Sequence, residues 1–410
     1  MSDNNLRLAF IGCGGIARRH VVAMKDLINR GRAGFVITAV CDTHEPNAQL
    51  LAQLLAEQLD MHPTVYTDYQ ALLKQERLDG VDICLPHGLH HGVAIDCMEA
   101  GLHVLCEKPL GVTIKACRAM AETADKTGKI LSTAVPHRRQ PGQRTAHWIF
   151  NQSKLIGDPL TFFHNYTRPP APQTSSGPLP PAMVWRHDQL MSGGGPALDS
   201  GFHYCDSMRY FFGDVERIYA ELRELKTGVA KGPQEAPEDT LFVTFTFKSG
   251  VVGSWSWSLA APGQTQYNVT FYGSTGSLQD TTAGRYSIFH LFERRPEQRE
   301  SGRLLYGDGT VYDMETLNQM HWDALSPEAR ELLYPGGTDD GFAIEIWEFI
   351  ELLQGKRAKP EVDGWEGLRS LAIGEAIYES AITGEVIQVD DVISGKRGRF
   401  QEPIDAYWKL

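Results

Sequence analysis

No apolar run in this sequence is longer than a strand needs, so no transmembrane helix is expected. Nor is there a block of like charges. Lys and Arg total 39 against 51 Asp and Glu, a net charge of −12 spread along the chain. An acidic chain without a basic run is a poor partner for nucleic acid or an anionic membrane. Met1 to Asn5 lack the charged start and apolar stretch of a signal peptide, and none is expected. Cysteine is sparse, with seven residues at positions 13, 41, 84, 97, 106, 117 and 205. An odd number, mostly in apolar surroundings and with no CxxC spacing, predicts buried thiols in a reducing compartment, the cytoplasm. It argues against disulfides and gives no metal site. Internal repeats are absent. One biased stretch, Arg168 to Pro181, holds six of the 22 prolines and predicts a long loop. The remaining composition, 42% apolar and 22% charged, is that of an ordinary globular protein. At about 150 residues per domain, 410 residues suit two or three domains.

The first third alternates apolar strand-like runs with helical patterns. Strands are expected at Leu6 to Ile11, Phe35 to Cys41, Val81 to Leu85, His103 to Cys106 and Ile130 to Ala134. Helices are expected to about Asn29, over Glu45 to Leu59, over His91 to Ala100 and over Thr113 to Thr127. Such alternation predicts a doubly wound parallel sheet, which binds ligands at the carboxyl ends of its strands. After about residue 136 the pattern changes. A helix is expected over Gln143 to Asn151 and strands at Leu160 to Thr167, Leu241 to Phe247, Val251 to Trp257, Gln266 to Tyr272 and Ser277 to Gln279. Two helices follow, over Asp339 to Leu353 and Gly364 to Thr383. Lys248-Ser249-Gly250 between two period-two runs is a hairpin signal. The expectation is therefore an α/β chain, with a Rossmann domain over 1–135 and a second α/β domain over 136–410 carrying a large, mainly antiparallel open sheet.

Gly12-Cys13-Gly14-Gly15-Ile16-Ala17 follows the first strand and opens the first helix, which gives a G-x-G-x-x-A pattern its meaning. Gly12 permits the tight turn, Gly14 lets a pyrophosphate approach, and Ala17 lets helix and strand pack closely, with the anion on the helix N-terminus. Asp42 ends the second strand, where a carboxylate accepts ribose hydroxyls and repels a 2′-phosphate. That favours NAD over NADP, and capping of the next helix is the structural alternative. Lys108, in Glu107-Lys108-Pro109, sits at the carboxyl end of a strand, where its charge can stabilise an alkoxide or bond a hydroxyl. Gly193-Gly194-Gly195 precedes a helical pattern to Phe212. Within it Asp199 and His203, four apart, share a face, and a His beside a carboxylate suits proton transfer near neutral pH.

Four segments together, Gly12 to His20 (GCGGIARRH), Leu85 to His90 (LPHGLH), Ala100 to Leu110 (AGLHVLCEKPL) and Gly193 to Asp206 (GGGPALDSGFHYCD), resemble the glucose–fructose oxidoreductase, inositol dehydrogenase and rhizopine-catabolism (Gfo/Idh/MocA) family. The resemblance implies an NAD-dependent oxidoreductase that moves a hydride between a hydroxyl-bearing carbon of a sugar, sugar derivative or cyclitol and the nicotinamide. It implies Lys108 as the active-site lysine, His203 as the base and Asp199 as its support. The cofactor set would be Gly12, Gly14, Gly15, Ile16, Ala17, Asp42, Leu85, Pro86, His87, His90, Glu107 and Lys108. Arg138, Tyr166, Arg168, Trp185 and Arg186 would lie near the substrate, with Asp199 and His203. Leu85 and His87 stand where the family commonly has Thr or Ser and Asn. Val135 to Arg139 differs from the usual Asn-Tyr-Arg-Phe style, and the proline stretch reads as an insertion. The resemblance further implies a homodimer or homotetramer, whose sheet, bearing Phe242, Phe245, Phe247, Trp255 and Trp257, is covered by helices on one face and a partner on the other. Two other readings stand beside it. One is a redox-neutral, NAD-retaining glycoside hydrolase that oxidises, eliminates, hydrates and re-reduces. The other is a non-catalytic cofactor-binding sensor.

Overall fold

In the computed structural model, which describes residues 5–170, 184–226, 237–281, 287–289 and 302–410, six strands form a parallel sheet. They are β1 (Leu6–Ile11), β2 (Phe35–Cys41), β3 (Thr64–Tyr66), β4 (Gly80–Ile83), β5 (His103–Glu107) and β6 (Leu131–Ala134), in the order β3-β2-β1-β4-β5-β6. The order reverses between β1 and β4, and a ligand crevice is expected at such a point. Helices α1 (Gly15–Asn29), α2 (Glu45–Leu59), α3 (Tyr69–Gln75), α4 (His90–Glu99) and α5 (Ile114–Thr127) alternate with the strands. Every residue of β4 and β6 is buried, as expected for strands covered on both faces. The expected strand at Val81 to Leu85 stops at Ile83, because Cys84 and Leu85 turn into the loop that meets Gly12.

The chain forms two compact units, and neither is one continuous stretch. The first is Met1–Arg139 with Pro327–Leu368 and Trp408–Leu410; the second is Gln140–Ser326 with Arg369–Tyr407. The sequence reading drew one boundary, after residue 135. What brings residues 327–368 back to the parallel sheet is the helix Gly341–Leu353, GFAIEIWEFIELL, which is buried almost all round. Such a helix must be enclosed on every side. Its Phe349 and Leu353 side chains lie against Gly80 on β4, and Gly341 sits against the Pro136 carbonyl. Thr133 on β6 donates its N–H to the Val362 carbonyl at 2.8 Å. Arg139 is fully buried, and its guanidinium donates to Glu348 at 2.6 and 3.1 Å and to the Val135 carbonyl at 2.9 Å.

The second unit is built on a nine-stranded sheet in the order β14-β13-β12-β11-β7-β10-β9-β8-β15. Its strands are β7 (Pro159–Thr167), β8 (Val215–Arg223), β9 (Thr240–Phe247), β10 (Val252–Ser258), β11 (Gln266–Gly273), β12 (Gly276–Asp280), β13 (Gly302–Tyr306), β14 (Val311–Asp313) and β15 (Ile387–Gln388). Among the described residues only the β10–β7 pair is parallel, so the sheet is mixed and mainly antiparallel. The expected hairpin is β9–β10. Period two sorts its aromatics: Phe245, Phe247 and Trp255 are buried, Trp257 is half-buried and Phe242 is exposed. Phe162, Phe247 and Phe271 of the sheet pack against Phe211 and Phe212 at the end of the helix Asp199–Phe212. Phe163, Phe242, Val252 and Tyr272 stay exposed.

All seven cysteines are buried free thiols. Among the described residues no helix is long and apolar enough to cross a membrane. Residues 171–181 of the proline-rich stretch lie outside the described residues.

Candidate functional site

In the first unit the predicted residues gather at the carboxyl ends of β1, β4 and β5. Gly12 has φ +93°, and a Cβ there would lie 2.4 Å from the Cys84 carbonyl oxygen, so both the backbone and the space require glycine. A Cβ on Gly14 would meet nothing within 4 Å. Helix α1 starts beside it with no side-chain cap and no acidic residue in its first turn. An open approach, free first-turn amides and the positive end of a helix fit a pyrophosphate. Asp42 is half-buried, and its carboxylate accepts from the Cys13 N–H and the His44 N–H, both at 2.9 Å. It therefore ties the end of β2 to the glycine turn. The N-cap position of α2 is His44, whose side chain makes no capping bond, and Asp42 lies outside it.

The Leu85-to-His90 turn holds a short helical turn, His87–Leu89, after Pro86. His90 is fully buried between two carbonyls: Nδ1 lies 2.9 Å from Pro109 O and Nε2 lies 2.8 Å from Leu85 O. Burial holds its pKa below the ordinary histidine value. A neutral ring donates from one nitrogen only, so one carbonyl accepts and the other faces a lone pair, with the ring seated between the turns after β4 and β5. His87 is buried; Leu85 and Pro86 are half-exposed. Glu107, expected in the cofactor set, is 5% exposed. One of its oxygens accepts from the Lys108 N–H at 3.0 Å and the other lies 3.1 Å from His20 Nε2. Its carboxylate therefore holds the backbone of Lys108, whose side chain is half-buried. Arg138 is buried, and its neighbour Arg139 is committed to Glu348.

In the second unit, Asp199 and His203 stand one turn apart on the helix Asp199–Phe212. Asp199 is half-buried and accepts from Arg186 Nε at 3.1 Å, while the Arg186 guanidinium lies 4.4 Å from the Trp185 ring centroid. His203 is 8% exposed. Tyr166 is half-buried on β7, its ring 6.0 Å from that of Trp257, and Arg168 is exposed just beyond the strand. Sequence reasoning missed what holds the glycine block. Buried Glu238 accepts from Ala197 N–H at 2.6 Å and from the Tyr378 hydroxyl at 2.9 and 3.0 Å. Tyr378 Oη also accepts from Gly195 N–H at 2.6 Å. A Cβ on Gly195 would lie 2.4 Å from Glu238, which is why glycine stands there. Burial pushes the Glu238 carboxyl up to about 7. A lone acidic pair ahead of a strand carried no signal of this.

Residues 6–135 match a family model described as an oxidoreductase family, NAD-binding Rossmann fold, and residues 152–389 match its C-terminal alpha/beta domain. The D-glucoside 3-dehydrogenase of Escherichia coli strain K12 is 30% identical over 292 residues, covering 67% of this chain and 76% of that protein. The crystal structure of the WlbA dehydrogenase from Bordetella pertussis in complex with NADH and UDP-GlcNAcA shares the fold. Its TM-score is 0.68 at 22% identity, over 95% of this chain and 99% of that one. A glycosyl hydrolase family 109 protein of a Shewanella species (strain W3-18-1) is 34% identical over 128 residues, only 30% of this chain and 27% of that protein.

Proposed function

Because the chain belongs to the Gfo/Idh/MocA oxidoreductase family, we propose that it oxidises a hydroxyl-bearing carbon of a sugar, sugar derivative or cyclitol, with NAD as cofactor. The observation that carries this reading is Lys108 at the carboxyl end of β5, beside the switch point, with its backbone held by Glu107. NAD, when bound, supplies the hydride acceptor. Gly12, Gly14 and the first-turn amides at Gly15, Ile16 and Ala17 would hold its pyrophosphate, and Asp42 its adenosine ribose. The Leu85–His90 turn would flank its other half, with His90 and Glu107 positioning that surface rather than touching it. The Lys108 ammonium orients the reacting hydroxyl and stabilises negative charge on its oxygen. His203 takes the hydroxyl proton, and Asp199, steadied by Arg186, supports the imidazole. Trp185 and Tyr166 offer aromatic faces to a sugar ring, and Arg138, Arg168 and Arg186 offer donors to its hydroxyls. The relatives named as dehydrogenases support this over the hydrolase reading, since the hydrolase match spans less than a third of the chain.

A panel of free sugars, cyclitols and aryl glycosides, followed at the NADH absorbance band and by product chromatography, tests the reading. Stoichiometric NADH growth with a free sugar or cyclitol is the expected result. Aglycone release without net NADH would establish the redox-neutral hydrolase instead. In the same assay NAD should saturate at a lower concentration than NADP, because the Asp42 carboxylate repels a 2′-phosphate. The reverse order would leave Asp42 as a support of the glycine turn alone.

We also propose that the exposed sheet face bearing Phe163, Phe242, Val252 and Tyr272 packs on a second copy of the chain, since these four are 45–58% exposed on neighbouring strands, with the Phe163 and Tyr272 rings in contact. Light scattering at micromolar concentration should give a dimer or tetramer; a monomer overturns the assignment.

A further inference from the structure

His20 closes the motif Gly12 to His20, yet no role assigned above uses it. It lies on α1, and its ring is fully buried. Nδ1 is 2.7 Å from Asp82 Oδ2 on β4, and Nε2 is 3.1 Å from Glu107 Oε1 on β5. The other groups facing it are the Cys84 thiol, 4.0 Å away after β4, and Glu345, 4.0 Å away on the helix Gly341–Leu353. Glu345 has Arg139 on its far side at 3.7 Å. The rings of Phe10 and Phe342 close the remaining sides.

A neutral imidazole carries one N–H and can donate to only one carboxylate; the other would face a lone pair. Two carboxylate oxygens at hydrogen-bonding distance, one on each nitrogen, call for two donors. Two atoms bound to one metal at ~2.0–2.2 Å stand about 3 Å or more apart, so the 2.7 Å between Nδ1 and Asp82 is the separation of a hydrogen bond. Burial works against a charged ring, but the Asp82 carboxylate and the Cys84 thiol outweigh it and hold the ring's pKa well above the ordinary value. Glu107, so gripped, presents its second oxygen to the Lys108 N–H.

We propose that His20 is a standing imidazolium clamp between Asp82 and Glu107, and through Glu107 a positioning residue for Lys108. This rests on the reading of Lys108 as the group that meets the substrate hydroxyl. Without the clamp, the Glu107 carboxylate loses its fixed orientation and the Lys108 backbone loses its tether, while the pyrophosphate turn is untouched.

Two measurements test it. In histidine-¹⁵N-labelled protein saturated with NAD, the His20 signals, assigned by their loss in His20→Gln or their shift in Asp82→Asn, should be those of a doubly protonated ring from about pH 6 to 8, where ordinary histidines titrate. A singly protonated ring at neutral pH overturns the clamp. In steady-state kinetics, His20→Gln and Glu107→Gln should each lower kcat on the order of 10–100-fold, the scale of a mispositioned reacting group. KM for NAD should stay within a few-fold, and the double variant should be no worse than about threefold below the weaker single variant. Unchanged kcat in His20→Gln, or losses that multiply, would show a role in packing only. If instead Lys108→Ala turned over normally, the reading of Lys108 would fail, and the protonation state of the ring would still decide the clamp.

Discussion

Replacing Lys108 by alanine is expected to lower kcat on the order of 10³-fold, the loss typical of removing a group that meets charge as it develops in the transition state. The Kd for NAD should stay within a few-fold. The two effects separate because the contact that holds this turn is made by the Lys108 backbone: the bond to Glu107 uses its N–H, which alanine keeps. The glycine turn, Asp42 and the N-terminus of α1 are likewise unaltered by the change. Calorimetry with NAD and steady-state turnover on the same preparation give both numbers. A variant within tenfold of the parent in kcat would remove Lys108 from the chemistry, and a lost Kd would make it a cofactor ligand instead.

Truncating His203 to alanine should lower kcat by about 10²–10⁴-fold, the range for loss of a positioned general base. The pH profile is the more specific readout. A base must be neutral to accept a proton, so the parent's kcat/KM should fall toward acid, and the variant should lose that limb. His203 is nearly buried, and its neighbour one turn back, Asp199, is already paired with Arg186. The carboxylate therefore stays fixed when the ring is removed. A variant that keeps the acid limb would show that another group titrates there, and His203 would be a packed core residue.

Much of the first unit was legible because its residues obey local rules. β1, β2 and α2 begin and end where the apolar runs and Gly or Pro punctuation put them. β3 was missed because three residues, an exposed Thr64 and half-buried Val65 and Tyr66, carry no periodicity. β8 was missed although Ile218, Ala220 and Leu222 alternate inward, since Glu216, Arg217, Glu221 and Arg223 break up its apolar look. At the candidate site, the residues carrying formal chemistry could be named from their motifs. Their supports could not, because Glu107 meets His20, and Glu238 meets Gly195 and Ala197, only after the chain folds across long separations. His90 illustrates the difference: the motif presents an imidazole, and the fold seats it between the carbonyls of two backbone turns.

The discontinuity of the first unit also bears on how the chain is made. The six parallel strands are complete by Ala134, but the helix that encloses them and supplies Glu345 and Glu348 to Arg139 emerges from the ribosome about 200 residues later. At about 5–20 residues per second that is a wait of roughly 10–40 s. During it Arg139 has no carboxylate from that helix, Gly80 of β4 lacks its cover from Phe349 and Leu353, and His20 of α1 lacks Phe342. In the folded chain the N-terminal stretch is one of three segments of its unit. Its closure waits on a segment translated after most of the second unit, so the nascent sheet must be shielded from aggregation for most of its synthesis.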